Sequence, residues 1–114
     1  MTISNKIRKL VFSRDENQCV ACGSLQNLTI HHRVNRGAGG SKLFDSPAFL
    51  LTMCIICNGR FESDVDYARK AKIFGYKIQR NQKEIKPETI EVYYCKSNQW
   101  FLLNNKGEKT VYVQ

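Results

Sequence analysis

Cys54-Ile55-Ile56-Cys57 repeats the CxxC spacing of Cys19-Val20-Ala21-Cys22 after a gap of about thirty residues, and these two motifs decide the fold of the 114-residue chain. Each CxxC turn can place two sulfur atoms on one tetrahedral Zn²⁺ ion, which takes four such ligands. The alternatives are redox motifs or two unrelated pairs of buried cysteines. A redox CxxC needs a thioredoxin-like βαβ setting, which the sequence does not predict. We therefore predict that Cys19, Cys22, Cys54 and Cys57 form a structural zinc site.

The chain is strongly basic, with 18 Lys and Arg against 10 Asp and Glu and a formal net charge of +8. This excess favours a polyanionic partner, although charge of this kind also serves solubility alone. No apolar run approaches the ~20 residues that span a bilayer, and the N-terminus lacks the continuous apolar segment of a signal peptide. The expectation is a soluble cytoplasmic protein that does not bind membranes.

Hydrophobic periodicity predicts the order helix, strand, strand, helix, followed by a β-hairpin or meander, which is an α+β fold. The N-terminal helix carries a basic face, and the fifth cysteine, Cys95, is predicted to be a core residue of a strand. The predicted strands cover 28–34, 50–53 (or a helical turn), 76–79, 90–95, 100–103 and 110–113, and the long helix covers 56–74.

His31 and His32 are the two histidines of the chain and lie between the CxxC motifs. Adjacent residues of a strand face opposite ways, so both reach one site only if the strand twists or bulges. By itself the pair is more often one core and one surface histidine. Its surroundings favour a catalytic site, because Asn58 is predicted to begin a helix whose free N–H groups can bind a phosphate. A base, a metal-binding group and cations are the parts of metal-assisted phosphodiester hydrolysis.

Four basic residues near these motifs are candidate DNA contacts: Arg33, Arg36, Lys42 and Arg60. The glycine-rich loop at 37–40 either approaches phosphate with its backbone N–H groups or is a plain turn. Asn58 is otherwise an ordinary helix N-cap. Glu62, one helical turn later, either faces a metal or, more commonly, solvent.

Three segments together resemble the HNH endonucleases that are common in phage genomes. They are HHRVNRGAGGS (31–41), SPAFLLTMC (46–54) and CNGRFES (57–63), and the resemblance covers roughly residues 8 to 80. It implies one HNH nuclease domain over 1–114. The implied parts are a basic N-terminal helix (1–18), a ββα-metal core stapled by the four cysteines (19–75) and a β-hairpin extension (76–114).

The resemblance also implies the chemistry. His32 would be the general base, and His31 and Asn58 would hold a catalytic Mg²⁺ or Mn²⁺ beside the structural Zn²⁺. The implied activity is hydrolysis of DNA phosphodiester bonds by nicking or double-strand cleavage. Double-stranded DNA is the implied partner, with phage packaging proteins as further partners and the host cytoplasm as the location.

The chain departs from the family pattern at two positions. The family's middle Asn aligns with Phe49, and Asn58 stands where the last His is usual. Three nearby residues are candidates to brace the base in place of the lost Asn: Asn35, Asp45 and Ser46. Two other functions stay open, a zinc-stabilised DNA-binding module with weakened or lost catalysis and a zinc-stabilised protein-interaction domain.

Overall fold

The computed structural model describes residues 3–34, 44–79 and 85–113. Within these ranges the chain forms three α-helices and two small antiparallel sheets, which confirms the α+β prediction. None of the described helices is long and apolar enough to cross a bilayer. The elements are α1 (Asn5–Arg14), β1 (Leu28–His32), β2 (Leu50–Cys54), α2 (Ile55–Ser63), α3 (Val65–Ile73), β3 (Val92–Tyr94), β4 (Gln99–Leu103) and β5 (Lys109–Val111), with 3₁₀ turns at Pro47–Phe49 and Pro87–Thr89.

The β1–β2 pair is the central layer of the molecule. Its antiparallel register runs from Leu28 opposite Cys54 to His32 opposite Leu50. Every residue of β2 is buried, because side chains leave it toward two different layers. Leu50 packs with Val11 of α1, whereas Leu51 belongs to the main core with residues of α2 and α3. The pair therefore lies between α1 on one face and α2 and α3 on the other.

The single helix predicted over 56–74 is wrong in one respect, since Asp64 divides it into α2 and α3. The backbone of Asp64 is extended, and its side chain accepts hydrogen bonds from the N–H groups of Asp66 and Tyr67. An aspartate in this position satisfies N–H groups that a helix start leaves without partners. Hydrophobic periodicity continues through the break and does not reveal it.

The second sheet has the order β3–β4–β5, the meander that the sequence allowed. Its inner face adds Val92, Phe101 and Leu103 to the main core. The strand predicted at 76–79 does not form, because the N–H group of Tyr76 bonds the carbonyl of Ala71 at the end of α3 (2.8 Å). The core prediction for Cys95 is also wrong, since Cys95 is exposed in the β3–β4 turn.

A buried ionic group ties the second sheet to the rest of the molecule. Arg14 donates to both carboxylate oxygens of Asp15 (2.8 and 2.9 Å), and Asp15 also accepts from the hydroxyl of Tyr94 and the N–H group of Thr52. Burial raises the pKa of Tyr94, and the nearby charge of Asp15 raises it further. The neutral tyrosine thus donates to a carboxylate whose charge Arg14 balances, which is the condition for burying such a group.

Candidate metal centre and histidine site

The four cysteines of the CxxC motifs converge on one point. The sulfur atoms of Cys19, Cys22, Cys54 and Cys57 all lie within 4.8 Å of one another. The two sulfur atoms of Cys22 and Cys54 are 3.8 Å apart. Four sulfur atoms arranged tetrahedrally at 2.3 Å from a zinc ion are about 3.8 Å from each other. The cluster can therefore hold a metal ion such as zinc, and it is the one such group among the residues that the structure describes.

Local backbone geometry brings the two motifs together. Gly23 follows the first motif with φ +81°, and its N–H group closes the turn on the carbonyl of Cys19 (2.8 Å). Cys54 ends β2 and caps α2, because its sulfur accepts from the N–H group of Cys57 (3.4 Å). The N–H group of Val20 donates to the carbonyl of Thr52 (3.0 Å). One ion in the cluster would thus fasten the first turn to the junction of β2 and α2.

The thiol groups differ in their acidity. Burial raises the pKa of Cys19 to about 11. Burial, followed by the charge of Cys19, also raises the pKa of Cys57. The pKa of Cys54 is lowered although its burial acts the other way, because the N–H group of Cys57 donates to its sulfur. Zinc binds thiolates, so metal binding here releases protons and strengthens as pH rises.

His31 is 1% exposed and has a partner at each ring nitrogen. Its Nε2 lies 2.7 Å from the carbonyl oxygen of Tyr76, and its Nδ1 lies 2.7 Å from Oδ1 of Asn58. A carbonyl only accepts, so Nε2 donates, and Nδ1 of the neutral ring is then an acceptor. Burial lowers the pKa of His31, which favours this neutral ring. Two acceptors that face each other require a cation beside them, or an amide turned to present its NH₂ group.

His32 points elsewhere. Its Nε2 lies 3.1 Å from a carboxylate oxygen of Asp45, and both side chains are largely buried, with 23% and 14% of their surface exposed. A carboxylate next to an imidazole fixes the orientation of the ring and leaves the other nitrogen available. Asp45 was one of the candidates to brace this histidine. The structure therefore joins His31 to Asn58 and His32 to Asp45, and no hydrogen bond among the described residues joins His32 to Asn58.

A carboxylate and an ammonium group lie beside the His31–Asn58 pair. Glu62, one turn after Asn58 on α2, is 3.2 Å from Nζ of Lys77. The charge of Glu62 raises the pKa of His31 and that of Lys77 lowers it, although both effects are smaller than that of burial. Sequence reasoning missed Lys77, because it stands in no motif and reaches the site only through the turn that follows α3.

The prediction that Arg33 contacts DNA is contradicted by its burial. The side chain is 0% exposed and donates to the carbonyl oxygens of Gly75 (2.8 Å), Ala48 (2.8 Å), Pro87 (3.2 Å) and Ile90 (3.0 Å). Burial lowers the pKa of Arg33 to about 9, which leaves it charged at neutral pH. Its guanidinium group therefore holds three chain segments together, because Pro87 and Ile90 belong to the same turn, and it cannot reach a phosphate.

Of the three other residues predicted to contact DNA, the structure describes Arg60. Arg60 is exposed on α2 and lies over the ring of Tyr67, with 5.4 Å between its guanidinium carbon and the ring centre. Arg36, Lys42 and the glycine-rich loop at 37–40 lie outside the described residues. Phe49, at the middle motif position, is buried and packs edge-on against Phe44, with ring centres 5.3 Å apart.

Compared with protein families, with curated proteins and with solved structures, the chain matches none. Its likeness to HNH endonucleases therefore rests on the quoted sequence segments, and any function must be argued from the side chains themselves.

Proposed function

We propose that the protein is a metal-dependent DNA endonuclease of the HNH type. In this proposal His32 is the general base, His31 and Asn58 hold a Mg²⁺ or Mn²⁺ ion, and β1, β2 and α2 form a ββα-metal core. The observation that supports it best is the 2.7 Å contact between Nδ1 of His31 and Oδ1 of Asn58. These two residues are far apart in the sequence, and they are the two that the family resemblance pairs as ligands.

The donor set suits a hard divalent ion. Nδ1 of neutral His31 and Oδ1 of Asn58 are lone-pair donors without charge, and the carboxylate of Glu62 lies one helical turn away. When bound, the ion would neutralise charge on the scissile phosphate and on the leaving oxygen. Arg60 is exposed and Lys77 is partly exposed, so both can attract a phosphate toward α2.

His32 is suited to accept a proton from water. With Nε2 directed at Asp45, its Nδ1 is the nitrogen left to act as the base. The negative charge of Asp45 stabilises the imidazolium that forms when the proton is taken. An Asp–His pair of this kind replaces, in the proposal, the support that the family's middle Asn gives.

The proposal is tested by nicking of supercoiled plasmid with zinc-loaded protein. We expect nicked circles when Mg²⁺ or Mn²⁺ is added and none without an added divalent ion, a comparison that leaves the cysteine cluster intact. His32→Ala should abolish nicking, whereas Thr29→Ala, on the same strand, should not. Plasmid that binds the protein but is never nicked in any divalent ion contradicts the proposal.

A substitution that should strengthen metal binding tests the proposal further. Asn58→His restores the ligand that is usual in the family, and it should lower the Mn²⁺ concentration needed for half-maximal nicking by about tenfold. Asn58→Ala should raise that concentration. If both variants require the same Mn²⁺ concentration as the original chain, Asn58 is not a ligand and serves only to hold His31.

The second candidate is a zinc-stabilised DNA-binding module that does not cut. It is favoured by the burial of His31, both of whose nitrogens already have protein partners. Such a module would retard DNA in gels without nicking it, and about five phosphate contacts would give a log–log salt slope near −4.5. A protein-interaction domain would show no salt-dependent retardation.

A further inference from the structure

The outer face of the second sheet is aromatic at positions where a solvent-facing strand is usually polar. Tyr93 of β3 and Trp100 of β4 are directly opposite each other, and both are half-buried. Phe74, at the end of α3, adds a third half-buried ring. Ring centres are 5.2 Å apart for Phe74 and Tyr93, 5.4 Å for Tyr93 and Trp100, and 6.2 Å for Phe74 and Trp100. We call these three rings the aromatic triad.

The triad is held in place by hydrogen bonds as well as by ring contacts. The hydroxyl of Tyr93 donates to the side-chain oxygen of Asn98 (2.6 Å). The N–H group of Tyr93 donates to the carbonyl of Phe74 (3.0 Å), and the N–H group of Tyr112 donates to the carbonyl of Trp100 (2.8 Å). A platform fixed in this way loses little conformational freedom when a flat ligand stacks on it.

Two exposed lysines precede the triad in the chain, and Nζ of one of them, Lys70, lies 5.2 Å from the ring centre of Tyr67. The last turn of α3 carries Lys70 and Lys72, which are both exposed, and the chain then continues to Phe74. The acidic Asp66 lies at the other end of α3, 3.7 Å from Arg69. Aromatic rings bordered by lysines form the type of surface that binds single-stranded nucleic acid, since bases stack on the rings while cations follow the phosphates.

We propose that the aromatic triad stacks against unpaired bases of single-stranded DNA, whose phosphates lie along the lysines at the end of α3. The triad is close to the candidate histidine site. The ring of Tyr76 is 5.7 Å from that of Phe74, and the carbonyl of Tyr76 bonds His31. DNA that is partly unpaired, such as a flap or a bubble, is then the preferred substrate. This substrate preference rests on the proposed nuclease function, whereas the binding of unpaired bases does not.

Trp100 makes the binding directly measurable, because it is the one tryptophan in the sequence. The zinc-loaded protein is titrated, without added divalent ion, with a dT oligonucleotide of about 12 nucleotides, a length within the usual range of single-strand sites. A blunt duplex of the same length is the comparison. We expect saturable quenching of Trp100 fluorescence by the single strand and little by the duplex, while anisotropy of labelled DNA reports total binding of each.

Substitutions of Tyr93 separate stacking from structure. Tyr93→Leu removes the central ring and should weaken single-strand binding between about 5-fold and 150-fold, the range that one stacked base contributes. Tyr93→Phe keeps the ring and should bind like the original chain. Phe12→Leu, a half-buried ring on α1, is the matched control and should also leave binding unchanged. Zinc content and thermal midpoint establish that each variant is folded.

The experiments can contradict the base-stacking inference and the nuclease proposal independently of each other. Absence of quenching, equal quenching by single strand and duplex, or unchanged binding by a folded Tyr93→Leu variant overturns the base-stacking inference, whether or not plasmid is nicked. Quenching without nicking supports base stacking and contradicts the nuclease. If both succeed, a flap substrate should be cut faster than a duplex, and Tyr93→Leu should remove that preference.

Discussion

The two ends of the β1–β2 strand pair are built in different ways. At the end where Leu28 pairs with Cys54, the side chains of the cysteine cluster come from two short motifs, each of which forms its own turn. At the other end, His31 and His32 obtain their partners from α2, from the turn after α3 and from the segment before β2. Local spacing supplies each pair of sulfur atoms of the first site and one strand pairing joins the two pairs, whereas the second site depends on the packing of several elements.

The largest effect that would test this comparison is disruption of the cysteine cluster. Cys54→Ser removes a predicted zinc ligand that also caps α2, and zinc in such a site contributes on the order of 10 kcal/mol at neutral pH. Because that is comparable with the whole free energy of unfolding of a small domain, the variant should be largely unfolded. Zinc content by mass spectrometry and thermal unfolding by circular dichroism are the measurements.

Cys95→Ser is the matched control, since Cys95 is exposed and lies outside the cluster. It should keep one zinc ion per chain and the thermal midpoint of the original protein. A Cys54→Ser variant that unfolds cooperatively at the original temperature would show that the fold does not depend on the cluster, and the contrast between the two ends would disappear.

The second-largest expected effect is the loss of stability on substitution of Arg33, which lies just beyond the histidine end of β1. Arg33→Met leaves four carbonyl oxygens, on three segments of the chain, without their donor. Each buried acceptor that loses its donor costs about 1–3 kcal/mol, so the total loss should be several kcal/mol. Urea unfolding should show that loss, and Arg60→Met, at an exposed position, should change the free energy of unfolding by less than about 0.5 kcal/mol. Equal effects of the two substitutions would contradict the role assigned to Arg33.

Arg33 also shows where sequence reasoning reached its limit. An arginine after two histidines and before a basic, glycine-rich segment can be a phosphate contact or a buried side chain that binds carbonyl groups, and the sequence does not distinguish the two. The acceptors of its side chain are backbone carbonyls, such as those of Gly75 and Ile90, and backbone atoms leave no pattern in a sequence. The cysteine cluster was predictable because its ligands are side chains at fixed spacing. The sequence therefore shows both the type of each ligand and its position.

The histidine site was predictable in part for the same reason. Asn58 follows the second CxxC motif directly, so the motif itself places it in the first turn of α2. The helix begins at Ile55 with Cys54 as its N-cap, so the alternative that Asn58 is the N-cap is wrong. Asp45 was one of three candidates to brace His32, and the folded chain pairs it with that histidine, whereas Asn35 lies outside the described residues. Tyr76 contributes a carbonyl to His31, a role that any residue could fill and that the sequence therefore cannot reveal.

A smaller effect is expected where His32 meets Asp45. Asp45→Asn keeps the shape of the side chain but removes the charge that stabilises the imidazolium. It should lower the nicking rate in saturating Mn²⁺, by less than the ~10²–10⁴-fold that a general base contributes. Ser46→Ala, at the next position, is the control and should leave the rate unchanged. Since the substitution is isosteric, thermal unfolding should be nearly the same. An unchanged rate would mean that His32 needs no carboxylate, and the structural pairing would have no catalytic role.

The smallest effect is the pH dependence that His31 gives to stability. Burial lowers the pKa of His31 from its ordinary value of 6.5, so below that pH the unfolded chain binds a proton that the folded chain does not. Stability should therefore fall as pH falls from about 6.5 toward the folded pKa, by at most about 1.4 kcal/mol per pH unit. The contribution of the neutral ring is complete above pH 6.5.

Urea unfolding at pH 7.5, 6.5 and 5.5, with zinc content followed at each pH, measures this slope. The cysteine thiolates also respond to acid, so the informative quantity is the difference between the original chain and His31→Gln, which should have the shallower slope. Equal slopes would mean that folding does not lower the proton affinity of His31. The ring could then carry a proton on Nδ1 beside the oxygen of Asn58, and the lone pair needed to hold a divalent ion would be occupied.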